Sequence, residues 1–139
     1  MSGEPKQFSH QRDHRLHRGI IRIDARITHF GMYGYALLAS PTPRQAIEFA
    51  IKYRALASPL VGLSFALDGA EAVWSLGDVL ALGTDSALFR FLVERQLGTL
   101  LSLHRDLLGA ALAPSRIRLS YAAPPHAALY GELLGGPVA

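Results

Sequence analysis

The sequence has no cysteine, few charged residues and no long hydrophobic run. The absence of cysteine excludes disulfide frameworks, thiolate zinc sites and cysteine nucleophiles, and a reducing cytoplasm is the expected location. No apolar run reaches the ~20 residues of a membrane-spanning helix, and the polar N-terminus lacks the apolar core of a signal peptide. Charged residues make up only 18% of the chain, which indicates that some apolar surface meets a partner or that part of a larger protein is missing.

The motifs of common enzyme classes are also absent. There is no phosphate-binding loop, no dinucleotide-binding glycine pattern and no serine-hydrolase elbow. Carboxylates are scattered, and His29, His104 and His126 are isolated along the sequence, so we interpret these histidines as structural. We predict a non-enzymatic protein without cofactor or metal. A small enzyme acting on a hydrophobic substrate is the less favoured alternative, because active sites can assemble from residues distant in sequence.

The length of 139 residues fits one domain with its own core. The net charge is +3, and much of the basic excess lies near the N-terminus. We interpret residues 1–19 as a flexible basic arm and residues 20–139 as the folded domain. His10, His14 and His17 would share one face of a helix, but a solvated arm is favoured over a metal site because nothing there would fix a helix.

The most informative stretch runs from Phe30 to Leu56. Gly31 and Gly34 permit a tight turn or a close approach of another segment. Further along, Thr42 precedes a proline and is followed by Gln45 three residues later. This combination predicts an amphipathic helix with Thr42 as its N-cap and proline as its first residue.

Two side chains in the central part of the chain have alternative roles. Arg54 falls on an apolar flank of the predicted helix, where a guanidinium needs an anionic partner or must extend to water. The partner could be a ligand or one of the carboxylates of Asp24, Asp68, Glu71 and Asp78. Trp74 is the single tryptophan, and it either packs in the core or lines a ligand cavity.

Several segments predict β-structure. Residues 20–27 alternate apolar and charged side chains, as in a strand with one buried face. Residues 61–76 predict a hairpin around a two-residue Asp-Gly turn of type I′, and a longer loop, 68–71, places the same side chains on the same face. Residues 116–121 alternate again, and residues 137–139 look like the beginning of a further strand, which indicates a truncated natural protein.

The remaining regular segments are helical. Residues 86–108 predict a long helix that begins near Ser86 and ends at Gly109. Its apolar residues surround most of the circumference, so we expect burial on more than one side. Residues 126–134 predict a short helix that ends at paired glycines. The fold class is therefore α+β, with a small antiparallel sheet containing a hairpin packed against several helices, one of them long and buried.

Residues 30–42, the Gln45-Ala46 pair and the Lys-Tyr-Arg-Ala-Leu segment at 52–56 resemble the N-terminal effector domain of AraC-type bacterial transcription regulators. The similarity is to the arabinose-binding-domain type, whose pattern reads roughly G-x-x-G-Y-A-x-x-x-S-x-T-x-x-E-A, then R-Y. Gln45 replaces the usual glutamate. The resemblance covers about residues 20–139 and does not include the helix-turn-helix region that follows this domain in full members.

The resemblance implies a cytoplasmic, non-catalytic domain that senses a small molecule and forms a homodimer. DNA would be bound only through a missing C-terminal domain, and no membrane is involved. An effector between helices and sheet would bias the arrangement of subunits or domains. The candidate effector-binding residues, chosen as aromatic walls with polar or charged tips, are Tyr33, Tyr35, Tyr53, Arg54 and Trp74. The alternatives are an ordinary core at these positions and a stand-alone module that only dimerises through the long helix.

Overall fold

A computed structural model describes residues 26–57, 59–109 and 113–139. The predicted arm, its three histidines and most of the predicted strand at residues 20–27 lie outside these ranges. Ile27 is buried as the alternating pattern predicts, but it begins a 3-10 helix, Ile27–Phe30, and is not in a strand. The Asp106 carboxylate holds this segment, since it accepts from the Ile27 N–H at 2.8 Å and pairs with Arg26 at 3.2 Å.

The first two α-helices are α1, Gly31–Leu38, and α2, Pro43–Lys52. Gly34 provides the predicted close approach, because a Cβ at this position would overlap the backbone carbonyl of Ile27. The predicted cap of α2 is confirmed: the Thr42 side chain accepts a hydrogen bond from the Gln45 N–H at 3.2 Å.

A further 3-10 helix, Arg54–Ala57, follows α2. On the exposed face of α2, Glu48 pairs with Arg44 at 3.0 Å. The i,i+4 spacing of Glu48 and Lys52 also allowed a pair, but the ammonium group of Lys52 lies 5.2 Å from the ring centroid of Tyr53 instead.

The hairpin consists of strands β1, Gly62–Asp68, and β2, Glu71–Gly77, which pair antiparallel. Phe65 lies opposite Trp74, so the register is that of the longer-loop alternative, and the two-residue Asp-Gly prediction of the register is wrong. Both alternatives place the same side chains on the inner face. The half-buried members of that face are Leu63, Phe65, Trp74 and Leu76.

The hairpin turn also differs from the predicted type I′. Asp68 pairs with Glu71, which leaves Gly69 and Ala70 as the two loop residues. Gly69 has a φ of 60° whereas Ala70 keeps a negative φ, and this combination belongs to a type II′ turn. The shift places glycine at the one position that needs positive φ and allows Asp68 to join the strand ladder.

The long helix α3 spans Ala87–Leu108, close to the predicted bounds. The Ser86 side chain caps it by accepting from the Phe89 N–H at 3.3 Å, and Gly109 follows its last residue with a φ of 96°.

The connector before the helix is organised by Asp78, whose carboxylate accepts from the N–H groups of Gly83 and Leu82. These bonds lower the pKa of Asp78, because they stabilise its charged form.

The C-terminal segment contains a 3-10 turn, Ala127–Leu129, followed by helix α4, Tyr130–Leu134. The predicted strand at residues 116–121 is reduced to an isolated parallel bridge between Ile117 and Val138. Backbone hydrogen bonds join Ile117 to Pro137 and Ala139, and a further one joins Leu119 to Ala139. The alternation nevertheless holds, since Ile117 is buried, Leu119 and Tyr121 are half-buried, and Arg116, Arg118 and Ser120 are exposed.

The core is arranged around α3. Its N-terminal part packs with Val61 near the hairpin, its C-terminal part meets Ile27 and α1, and Leu97 and Leu101 pack on the C-terminal segment. The helix is therefore buried on more than one side, as predicted, and the α+β class is confirmed. Within the described ranges, no helix is both long and apolar enough to cross a membrane.

Candidate functional site

A partly enclosed cavity of about 80 Å³ lies between α1, α2, the hairpin and α3. The long helix contributes lining residues from Arg95 to Leu108, so the cavity follows the helix over about 20 Å. Most of the wall is apolar. The polar or charged side chains that line it are those of Tyr33, Arg54, Trp74, Arg95, Gln96, Thr99 and His104.

Tyr33 forms part of the aromatic wall. It is buried, and its hydroxyl donates to the Ala50 carbonyl at 3.0 Å, which ties α1 to α2. Its ring centroid lies 5.9 Å from that of Phe49. Burial raises the pKa of Tyr33 because the phenolate would lose its hydration. Tyr33 therefore presents a neutral aromatic ring to the cavity.

Trp74 and His104 form a polar pair across the cavity wall. The Trp74 Nε1–H donates to His104 Nε2 at 3.1 Å, and the rings meet edge to face. Because the indole N–H can only donate, His104 Nε2 must be unprotonated, and Nδ1 donates to the Leu100 carbonyl at 2.8 Å. Both ring nitrogens of His104 thus have hydrogen-bond partners within the protein.

Gln96 and Thr99 differ from that pair. Each is only 8% exposed, and each lines the cavity one helical turn from the other. Neither the Gln96 amide nor the Thr99 hydroxyl has a hydrogen-bond partner in the described structure, yet no fully enclosed polar atom there is left unpaired. Their polar atoms are therefore accessible from the cavity, where water or a ligand can satisfy them.

Arg54 also lines the cavity, although it is exposed overall. Its Nη1 donates to the Ile51 carbonyl at 2.8 Å, near the end of the preceding helix α2. Within the described ranges it forms no ion pair, and Glu71, one of its candidate partners, faces Arg116 at 3.8 Å. Of the three outcomes considered from the sequence, extension towards water fits this placement.

The remaining two candidate residues, Tyr35 and Tyr53, do not line the cavity. Tyr35 is 56% exposed on the outer side of α1, and Tyr53 stacks on Phe49 with ring centroids 4.6 Å apart. The structure therefore brings Tyr33, Arg54 and Trp74 together and leaves the other two tyrosines outside. The pattern of aromatic residues with polar tips could not separate the two groups, because it does not determine which face of each helix is buried.

The sequence reasoning missed Arg95, Gln96 and Thr99. One signal was available: polar residues inside an otherwise apolar helix, three positions apart, lie on the same face. The spacing alone could not say that this face borders a cavity. His104 was interpreted as structural, and its two hydrogen bonds agree with that interpretation.

A second buried polar cluster lies on the other side of α3. Glu94 is 4% exposed, and its Oε1 lies 2.7 Å from His126 Nε2 and accepts from the Tyr130 hydroxyl at 2.5 Å. The Tyr121 hydroxyl is 3.3 Å from that of Tyr130. Burial, followed by the hydrogen bond to Glu94, raises the pKa of Tyr130 far above its ordinary value. We refer to Glu94, Tyr121, His126 and Tyr130 as the Glu94 cluster.

The cavity volume limits what can enter. An apolar cavity of about 150 Å³ admits benzene, whereas this one measures about 80 Å³. A compound of a few heavy atoms can fit as the walls stand. A larger one requires the walls to separate or part of the compound to remain at the solvent-facing rim, where the exposed Arg54 and Arg95 lie.

Comparison with known proteins identifies the family of the domain. A family model described as the arabinose-binding domain of AraC transcription regulators, N-terminal, matches residues 21–139. The chain belongs to this family. The AraC-type domain is also 33% identical over 105 residues to the ornithine utilization regulator of Pseudomonas aeruginosa. That match covers 76% of the AraC-type domain and 30% of the regulator, and no solved structure matches. The family predicted from residues 30–56 is thereby confirmed.

Proposed function

We propose that this chain is the small-molecule-sensing domain of an AraC-type transcription regulator and that its effector binds in the cavity along α3. The observation that carries the proposal is the pair Gln96 and Thr99, which are deeply buried and have no hydrogen-bond partner in the described structure. Burying polar groups without partners is unfavourable. An ordinary core would leave that penalty uncompensated, whereas a binding cavity uses such groups to orient its ligand.

The position of the cavity supports a sensing role. Its walls come from the N-terminal helices, the hairpin and α3, so a ligand that spans these elements favours one arrangement of them over another. The opposite side of α3 holds the C-terminal segment through the Glu94 cluster. A displacement of α3 would therefore also move the C-terminal segment, residues 117–139.

The function requires parts outside this chain. The bacterial relative is named a regulator, and this chain spans 30% of its length. We propose that DNA is bound by another part of the parent protein, and that the domain acts in the bacterial cytoplasm by binding and not by catalysis. The N-terminal residues 1–19 would form a flexible basic arm attached to the domain at 20–139.

A screen of small metabolites against the purified chain tests the proposal. Trp74 is the single tryptophan and lines the cavity, so its fluorescence reports binding directly. An effector should raise the melting temperature and change Trp74 emission at the same concentrations. Ala50→Leu, which extends a lining side chain, should abolish both responses, whereas Ala128→Leu on an exposed position should retain them. Binding that survives Ala50→Leu, or stabilisation without a Trp74 response, would contradict the cavity as the site.

A homodimer formed through α3 is a second proposal. Leu88 is 53% exposed and Phe91 is 36% exposed, and they lie three residues apart on one face of the helix. Phe91→Glu should convert a dimer into a monomer in sedimentation velocity, while Leu67→Glu at the exposed hairpin end serves as the control. A monomeric unmodified chain, or a dimer that persists in Phe91→Glu, would count against this surface.

A further inference from the structure

We infer that the cavity takes a short, elongated monocarboxylate with an apolar body. Its carboxylate would lie at the end marked by Arg95, Gln96 and Thr99, and its body would extend along α3 towards Leu107. This inference rests on the proposed function, because it specifies the chemical class of the effector for the same cavity.

The first argument is the distribution of polarity along α3. Arg95, Gln96 and Thr99 are grouped at one end of the cavity, within about 6 Å along the helix axis. The following lining residues of α3 are Leu100, Leu103, His104, Leu107 and Leu108. The only polar member of that set, His104, has both ring nitrogens occupied by Trp74 and by the Leu100 carbonyl. The cavity therefore has a polar end and an apolar end.

The second argument is charge. Two arginines line the cavity, and no described lining residue carries a carboxylate. The closest acidic residue along the helix, Glu94, is held on the opposite side by His126 and Tyr130. An ammonium group in this cavity would find no anion, and a diamino acid such as ornithine would bring two ammonium groups. A carboxylate would find a positive environment instead.

The third argument is the kind of donors present. Arg95 forms no hydrogen bond or ion pair within the described structure, so its guanidinium is available for the planar, two-point contact that carboxylates accept. The Gln96 amide and the Thr99 hydroxyl can each donate as well. Such a set can satisfy several lone pairs of a carboxylate, and an alcohol of equal length would satisfy fewer.

The fourth argument concerns shape and size. The cavity is narrow, about 80 Å³, but extends along the helix. A linear chain suits such a space better than a bulky ring system. Hexanoate exceeds the cavity as the walls stand, but its carboxylate can remain at the solvent-facing rim beside Arg95 while its chain enters between the walls. It is therefore a suitable probe, and 1-hexanol, hexylamine and ornithine test a neutral head, a cationic head and a zwitterion with an additional cation.

The experiment is a titration of Trp74 fluorescence in the purified chain with these four compounds. Hexanoate should give a saturable change, with a Kd at least about tenfold lower than those of 1-hexanol, hexylamine and ornithine. Arg95→Gln should weaken hexanoate about tenfold and leave 1-hexanol unchanged. Arg118→Gln, at an exposed arginine outside the cavity lining, should change neither compound more than about twofold.

Two of the results that would overturn the inference leave the sensing function in place. One is equal or tighter binding of 1-hexanol, hexylamine or ornithine with the same Trp74 response. The other is no response to hexanoate while a metabolite of another class binds and Ala50→Leu blocks it. A hexanoate response that is equally weakened by Arg118→Gln would assign the effect to general charge and would also overturn it. If no metabolite of any class binds in the cavity, the sensing function fails together with the inference.

Discussion

The two sides of α3 bury polar groups in opposite ways. On one side, the Glu94 carboxylate is paired with His126 and Tyr130 at hydrogen-bonding distance. On the other side, Gln96 and Thr99 are almost as deeply buried but have no partner in the described structure. Two residues of the same helix turn, Glu94 and Gln96, thus experience contrasting environments. The Glu94 side is complete without a ligand, whereas the cavity side has polar groups for a ligand to satisfy.

This contrast separates polar residues that stabilise the fold from those that we propose serve binding. A satisfied buried network rigidifies the structure, and losing one member leaves the others unpaired. Polar atoms that open onto a cavity can meet only water until a ligand arrives, so they add less to stability than a satisfied network or an apolar side chain of the same size. Substitutions on the two sides of α3 should therefore change the free energy of unfolding with opposite signs.

Glu94→Ala should have the largest effect. Removal of the carboxylate leaves the His126 ring and the Tyr130 hydroxyl buried without their shared acceptor. We expect the free energy of unfolding to fall by about 3 kcal/mol, measured by urea denaturation at neutral pH. Glu48→Ala is the matched control, because Glu48 pairs with Arg44 on an exposed surface and should lose less than about 0.5 kcal/mol. Equal losses of stability in the two variants would mean that the Glu94 cluster contributes no more to the free energy of unfolding than an exposed ion pair.

Alkaline pH should reveal the same cluster. The pKa of Tyr130 is raised above its ordinary value of about 10, so the folded protein retains a proton that the unfolded chain releases above pH 10. The contribution of Tyr130 to the free energy of unfolding is fully present below pH 10. It is lost as the pH rises further, by about 1.4 kcal/mol per pH unit for one tyrosine.

Tyr130→Phe removes this titration. Its free energy of unfolding should therefore fall less steeply than that of the unmodified protein, compared by urea denaturation at pH 9, 10 and 11. Burial also raises the pKa of Tyr33 and Tyr121, so a residual slope is expected. Tyr35→Phe, on an exposed side chain, should leave the slope unchanged. If the free energy of unfolding of Tyr130→Phe fell as steeply with pH as that of the unmodified protein, Tyr130 would not contribute to the pH dependence.

Gln96→Leu should act in the other direction. It replaces a buried amide without a described partner by an apolar side chain of similar size, so the ligand-free domain should gain about 1 kcal/mol of stability. The same variant should weaken effector binding. Gln45→Leu is the control, since Gln45 is exposed near the start of α2, and it should not gain stability. A loss of stability in Gln96→Leu would indicate that the amide is satisfied and would weaken the case for the cavity.

Much of the local structure could be predicted because its determinants are adjacent in the sequence. The Thr42 cap, the close approach at Gly34 and the long helix that begins after Ser86 all follow from residues within one or two turns. The hairpin faces were also predictable, but its register was not, because two loop lengths gave the same inner face and only pairing between the strands distinguishes them.

The sites were harder to predict because their members come from separate segments. Glu94 and His126 are 32 positions apart, and Trp74 and His104 are 30 positions apart. No spacing rule relates such residues, since the relative rotation of α3 against its neighbours decides which side chains meet. The aromatic residues Tyr33 and Trp74 were visible in the sequence, whereas the polar end of the cavity depends on which face of α3 borders it.

The smallest expected effects come from a pair of conservative substitutions at the edges of the two sites. Thr99→Val removes an unpartnered hydroxyl without changing the side-chain shape, so stability should rise by about 0.5 kcal/mol. Tyr121→Phe removes a hydroxyl that lies 3.3 Å from that of Tyr130, so stability should fall by a similar amount. The two variants each delete one oxygen atom, and replicate urea titrations resolve the difference between them. Changes in the free energy of unfolding with opposite signs would support the contrast between the two sides of α3. Changes with the same sign would mean that both sides are ordinary core.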